Sequence, residues 1–226
     1  MDTADLAKLI KSRRSIRAWQ NRPVPEELLM KAVELATWAP NGANAQTWYF
    51  YIVLNKSTIK NIADAAQAGM AYMASWPETS RSGGMTPPPP PQGSSVLPPP
   101  RRSALAEAPA MILVGKTRRD SPRDKIIAER AKVDKRAVGM VEWNIALNPM
   151  LQSAAAGIAY LLLVLHQLGL GATWMTGPLS TAKGDIEAIL KTPPNIDIIA
   201  LIPVGYPADK PTGFRKPVSE ICQVIK

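Results

Sequence analysis

Three guanidiniums and a hydroxyl fall within five residues at Arg13-Arg14-Ser15-Ile16-Arg17. Guanidinium forks form charge-assisted bonds to phosphate oxygens, so the cluster suits a phosphate-bearing ligand. A solvated basic surface has the same composition, and this segment alone leaves both readings open. A second candidate is the loop Ala39-Pro40-Asn41-Gly42-Ala43-Asn44-Ala45-Gln46. The amides of Asn41, Asn44 and Gln46 both donate and accept, which matches the polar edge of a heterocycle. Asn and Gly also serve ordinary turns. A third runs from Gly169-Leu170-Gly171 to Met175-Thr176-Gly177. Its glycines let backbone approach a ligand closely, and Thr176 offers both an N–H and a hydroxyl. Near the C-terminus, Gly205-Tyr206-Pro207 and Arg215-Lys216-Pro217 add a turn and two more cations.

Regular elements must position these residues. Residues 5–11 have helical spacing, with Leu6, Leu9 and Ile10 on one face. Pro23-Val24-Pro25 breaks the chain, and Glu26 and Glu27 open a second helix that Pro40 closes. Residues 48–54 are rich in aromatic and β-branched types and read as a strand, followed by a helix over 55–66. Residues 110–115 read as a buried strand and 121–136 as one charged helix with Ile126, Ile127 and Ala131 inward. Residues 149–168 form a helix apolar on nearly all sides, which needs cover on most sides, and a second subunit is a natural source of it. Short strands are expected at 172–175 and 221–225, a helix at 181–190, and a strand of near-continuous apolar character at 196–205. The pattern predicts an α+β or mixed α/β fold, as one domain over 1–226. Residues 77–100 hold repeated prolines, which favour extended polyproline structure over a packed helix. This insert reads as a solvated segment, a lid over a pocket, or a docking site for a proline-binding module.

Composition removes several functions. One cysteine, Cys222, permits no disulfide within the chain and fits a reducing, cytoplasmic setting. With one histidine as well, no zinc site of His and Cys ligands is expected, and no metal site is assigned. The N-terminal residues lack a signal peptide's basic start and long apolar core. The longest apolar run, 154–165, is too short for a bilayer span, so no membrane is expected. The net charge of +9 attracts anions. A nucleic-acid or proline-motif binding protein is the remote alternative, but the charge is not arranged as an aromatic-laced basic face, and no nucleic acid is expected.

Taken in order, these segments resemble the nitroreductase family of FMN enzymes over nearly the whole chain. The resemblance is carried by Arg13 to Arg17, Pro23 to Pro25, Ala39 to Trp48, Gly169 to Gly171, Ile198 to Pro207 and Arg215 to Pro217. It implies an α+β fold with a mixed central sheet of about four strands flanked by helices. A C-terminal strand near 221–225, exchanged from the partner of a homodimer, would complete that sheet. It further implies FMN as cofactor, NAD(P)H as electron donor, and ping-pong transfer to a small electron-poor acceptor such as a nitroaromatic or quinone. Arg13, Arg14, Ser15 and Arg17, with Arg215 and Lys216, would hold the FMN phosphate and ribityl chain. Asn44 and Gln46 would sit near the isoalloxazine and ribityl, with Pro40, Asn41 and Gly42 contributed across the dimer interface. Met175, Thr176 and Gly177 would lie beside the flavin, Thr176 near N5. No catalytic acid, base or nucleophile is implied, since the flavin carries the redox chemistry. Relatives on the same scaffold carry out reductive dehalogenation, dehydrogenation or flavin breakdown, and these remain alternatives. Two departures stand out: Asn41 replaces the family's Ser, and Thr47 its Pro.

Overall fold

The structure is a computed structural model and describes residues 2–81, 105–118 and 121–226. Its centre is a four-stranded sheet in the order β1-β2-β4-β3. The strands are β1 (Trp48–Val53), β2 (Ala110–Thr117), β3 (Gly171–Ala172) and β4 (Ile196–Gly205). All strand pairings are antiparallel, and a parallel component enters through the bridge between Ser15 and Ala172.

Helices α2 (Glu26–Ala36) and α7 (Pro149–Gln167) cover one face of the sheet. Their Leu29, Ala32, Ile158, Leu161 and Leu165 pack on Ala110, Ile112, Val114, Ile202 and Val204. Helices α3 (Lys56–Ala74) and α8 (Leu179–Ile189) cover the other face. There Ile59, Ile62 and Ile186 meet Met111, Leu113, Ile198 and Leu201. The central strands β2 and β4 are therefore buried on both faces, which is why their sequences are almost continuously apolar. The β2–β4 register shifts between Val114 and Gly115, so Val114 faces Ala200 while Gly115 faces Ile198. The extra residue is Ile199, and this bulge lets Ile198 and Leu201, three positions apart, serve the same layer.

Several elements differ from the sequence-based expectation. The helix after β1 runs on to Ala74. The start of the proline-rich run forms a short helix, α4 (Pro77–Arg81), because proline is tolerated in a first helical turn; residues 82–100 of that run lie outside the described residues. The charged helix expected over 121–136 is two helices, α5 (Pro122–Ala131) and α6 (Lys135–Leu147). Asp134 divides them, its carboxylate accepting the Arg136 N–H as an N-cap. Ile126, expected inward, is 70% exposed, since α5 packs chiefly on α6 and on little else. Together α6 and α7 are long and apolar enough to cross a bilayer by composition, but Asn148 separates them in the left-handed conformation. Helix α7 buries Ser153, Ala154, Gly157, Ile158, Leu161 and Leu165, while Leu151 and Tyr160 on its other side stay exposed. A single chain thus supplies cover for one face of α7 and not for most sides. Residues 221–225, expected as a strand, form none, and Ile221, Val224 and Ile225 are exposed. A strand requires an edge to pair with, and these residues pair with no strand among the described residues.

Candidate functional site

The first helix, α1 (Thr3–Ser12), ends at Arg13, whose extended backbone turns the chain out of the helix. The following segment then lies along the β3 edge of the sheet. Ile16 N–H donates to the Ala172 carbonyl at 3.0 Å, and Trp19 Nε1 to the Gly171 carbonyl at 3.1 Å. Gln20 N–H donates to the Tyr206 carbonyl, and Trp19 bridges to Pro207. Two glycines make this approach possible. A Cβ on Gly171 would sit 2.7 Å from Ile16, and one on Gly205 would sit 2.6 Å from the Trp19 ring. The motifs around Arg13, Gly171 and Gly205 are therefore one assembly, brought together from distant parts of the chain.

One C-terminal cation, Arg215, joins it. Gly213 lies against the Arg14 guanidinium, its notional Cβ 3.3 Å from Nε. Arg13 is held below the usual arginine range by burial, then by repulsion from Arg215 and Arg14. Arg14 donates through Nη1 to the Lys11 and Arg13 carbonyls at 2.6 and 2.8 Å. Its Nε is buried and has no hydrogen-bond partner. Among the described residues, no ion pair includes Arg13, Arg14, Arg17, Arg215 or Lys216. Three clustered guanidiniums with no carboxylate, one presenting a buried free donor, have the donor set of a phosphate site. Ser15 pairs through its backbone with Ala172, while Arg17 and Lys216 are exposed.

Beyond Ala172 the chain continues along β4 to Met175, which exchanges backbone hydrogen bonds with Leu201 at 2.9 Å. Thr176 and Gly177 follow, exposed, at the entry to α8. At 3.3–3.6 Å per residue, Thr176 is at most about 14 Å from Ala172. The basic cluster and the Thr176 turn are thus joined by one short extended segment.

The amide loop is elsewhere. Gly42 N–H donates to Ser153 Oγ at 3.2 Å, in the first turns of α7. The basic cluster touches the other end of that helix, where Ser12 Oγ lies 2.8 Å from His166 Nε2. At about 1.5 Å per residue, the two contacts are about 20 Å apart along α7. Within the loop, Gln46 N–H donates to Asn41 Oδ1 at 2.9 Å, so its ends are tied. Ala43, Asn44 and Gln46 have φ of 55°, 48° and 48°, left-handed values that L-residues adopt rarely. Pro40, Asn41, Gly42, Asn44 and Gln46 therefore form one unit, not two separable groups. The neighbouring Thr47 is almost fully buried with its hydroxyl unpartnered, as is Thr173.

Sequence reasoning did not single out Ser12, His166 or Gly213 for this site; no local signal marks any of them. A shallow groove of about 450 Å³ lies on the outer face of α2, lined by Glu26, Glu27, Met30, Lys31 and Glu34, and includes none of the expected residues. Asp197 gathers Lys116, Arg118 and Lys183 at the far end of β4. The hydrogen bond from Arg118 is the main cause of its carboxyl lying well below the usual carboxylate range, and this cluster buttresses the sheet.

The sequence pattern of the Nitroreductase family matches residues 10–206. A relative from Methanothermobacter thermautotrophicus, whose name pairs NADH dehydrogenase with NAD(P)H nitroreductase, is 28% identical, over 92% of this chain and 80% of its own. An iodotyrosine deiodinase from Thermotoga neapolitana is 25% identical, over 94% of this chain and 95% of its own. The crystal structure of a BluB-like flavoprotein from Clostridium difficile 630 superposes with a TM-score of 0.78 at 24% identity, over 100% of both chains. The β3-edge assembly thus stands on a shared fold, and this chain belongs to the nitroreductase family.

Proposed function

We propose that this chain is an FMN-dependent oxidoreductase that works as a homodimer, with NAD(P)H as donor and a small electron-poor acceptor. The observation that carries the reading is the Arg13–Arg14–Arg215 cluster, which among the described residues makes no ion pair with a carboxylate and keeps Arg14 Nε buried without a partner. Those guanidiniums would hold the FMN phosphate, with Ser15, Arg17 and Lys216 at the margin. Met175, Thr176 and Gly177 would line the ring end, and the exposure of Thr176 leaves room there for a substrate. When bound, FMN supplies the redox chemistry, accepting electrons from the donor and passing them to the acceptor in alternation. The protein's part is to bind, orient and shield.

The homodimer is supported by three features. The amide loop lies about 20 Å along α7 from the basic cluster. It is therefore assigned as a unit to the flavin of a second chain. The outer side of α7 is exposed, and so is the apolar C-terminal tail containing Phe214, Val218, Ile221, Val224 and Ile225. Residues 221–225 would add a strand to the partner's sheet.

The test is spectroscopic. The purified protein should be yellow, or become so on adding FMN, and denaturation should release FMN and no riboflavin. A chain that neither carries nor takes up FMN refutes the proposal. A second reading, reductive dehalogenation, is favoured by the iodotyrosine deiodinases among the relatives. Stopped-flow reoxidation of the reduced protein separates the two. Faster reoxidation by nitroaromatics and quinones supports the first reading, and faster reoxidation by halogenated phenols supports the second.

A further inference from the structure

The only histidine in the chain stands beside the basic cluster. His166 lies in the last turn of α7, half-buried, and its Nε2 is 2.8 Å from Ser12 Oγ, one residue before Arg13. The Ser12 hydroxyl is also 3.2 Å from the Leu9 carbonyl. This arrangement serves both charge states of the ring. Neutral imidazole accepts the Ser12 O–H. Imidazolium donates to Ser12 Oγ while the hydroxyl proton turns to Leu9. No hydrogen bond is lost on protonation.

The charged groups facing His166 are Arg13 and Arg14, on the segment leaving α1. The nearby strand β3 contributes Gly171 and Ala172, which do not ionise. The carbonyl end of α7 favours the charged ring. Burial is the largest effect against it, followed by Arg13 and Arg14, and these together hold His166 below its ordinary range. A dianion bound at the two arginines would offset their repulsion, because opposite charges nearby favour the protonated ring.

We infer that His166 is a further, proton-linked cation of the anion site: neutral while the site is empty, charged when a phosphomonoester dianion occupies it. The inference rests on the proposed function, and it adds a specificity element. Riboflavin, lacking the phosphate, gains nothing from His166. A phosphorylated flavin gains a fourth positive charge, and binding takes up a proton. The sign follows: the histidine midpoint rises on binding, so affinity increases as pH falls through the window between the bound and free midpoints.

The test uses the full, tag-free chain, in which one histidine Cε1–H resonance reports His166 alone. It is titrated by NMR in the flavin-free state, with FMN and with riboflavin. The expected result is a midpoint at least about one pH unit higher with FMN, and unchanged with riboflavin. One unit corresponds to a tenfold linkage. FMN affinity measured by fluorescence at pH 8 and pH 5.5 gives a second arm. The ratio of wild type to His166→Gln should change about tenfold between the two pH values, and the flavin's own phosphate titration cancels in that ratio. FMN binding with an unmoved midpoint, or an equal shift with riboflavin, overturns this inference and leaves the proposed function standing. Absence of FMN binding overturns both.

Discussion

Arg215→Gln is the cleanest probe of the proposed phosphate site. Arg215 is exposed, and the hydrogen bond it makes in the structure is to the carbonyl of its neighbour Phe214. Its removal therefore disturbs little of the fold. It also relieves the repulsion that helps hold Arg13 below its usual range. The flavin-free protein should melt at the same temperature or slightly higher. The bound state loses one charge-assisted hydrogen bond, worth about 1.5–3 kcal/mol. Exposure puts this residue at the lower end, and at 1.4 kcal/mol per decade FMN should bind about tenfold more weakly. Riboflavin affinity should not change, since the lost contact is to phosphate. The effect should shrink as salt is raised, because the group is open to solvent. Fluorescence titration of both flavins at two salt concentrations, beside thermal melts, reads all of this. Equal loss of FMN and riboflavin affinity would place Arg215 elsewhere than at the phosphate. A lower melting temperature in the flavin-free protein would mean that the tail is structural.

Three further outcomes are expected. Gly171→Ala puts a Cβ 2.7 Å from Ile16, and the forced shift should cost about 1–3 kcal/mol in urea unfolding and weaken FMN binding together. Asp197→Asn leaves Lys116, Arg118 and Lys183 without their shared carboxylate and should lower the melting point by a few degrees at pH 7. The Asp197 carboxyl titrates lower in the folded chain, so its contribution is present above about pH 4 and lost as pH falls through the folded value; the mutant and wild-type melting points should converge on acidification. Removing residues 221–226 should leave the far-ultraviolet circular dichroism almost unchanged, because these residues are exposed and carry no strand, but shift sedimentation towards monomer. A truncated chain that stays dimeric at low micromolar concentration would rule out strand exchange as the main dimer contact.

What could be read from the sequence follows the range of the interactions involved. β4 was readable to the residue because burial on both faces leaves a run that is apolar except at Asp197. The order of the basic and glycine motifs was readable too, as a family pattern. Contacts made only through folding were not. His166 and Ser12 are 154 residues apart, and neither has a neighbour that announces the pair. The break between α5 and α6 depends on one cap at Asp134, which a run of good helix formers concealed. In residues 221–225 the strand-forming composition is present, but among the described residues they meet no pairing edge.

The amide loop shows most clearly what composition hides. Left-handed backbone usually calls for glycine, yet here Ala43, Asn44 and Gln46 adopt it while Gly42 does not. Ala43 and Gln46 are each strained by about 1–2 kcal/mol, Asn44 less because asparagine adopts this region readily, and strain of this kind persists only where the surroundings impose it. Two anchors are in place: Ser153 Oγ on the Gly42 N–H, and Asn41 Oδ1 on the Gln46 N–H. The second bears on a departure from the family pattern, since Asn41 stands where the pattern has Ser. A serine hydroxyl is one bond shorter, and the Asn41 carbonyl spans the loop to a residue five positions on. The departure at Asn41 is thus part of what holds the loop in shape. The flanking departure, Thr47, has no matching account: its hydroxyl is buried and unpartnered. If the loop closes over a flavin on a second chain, its rigidity is set before the ligand arrives, and the strain at Ala43 and Gln46 is the cost of that preorganisation.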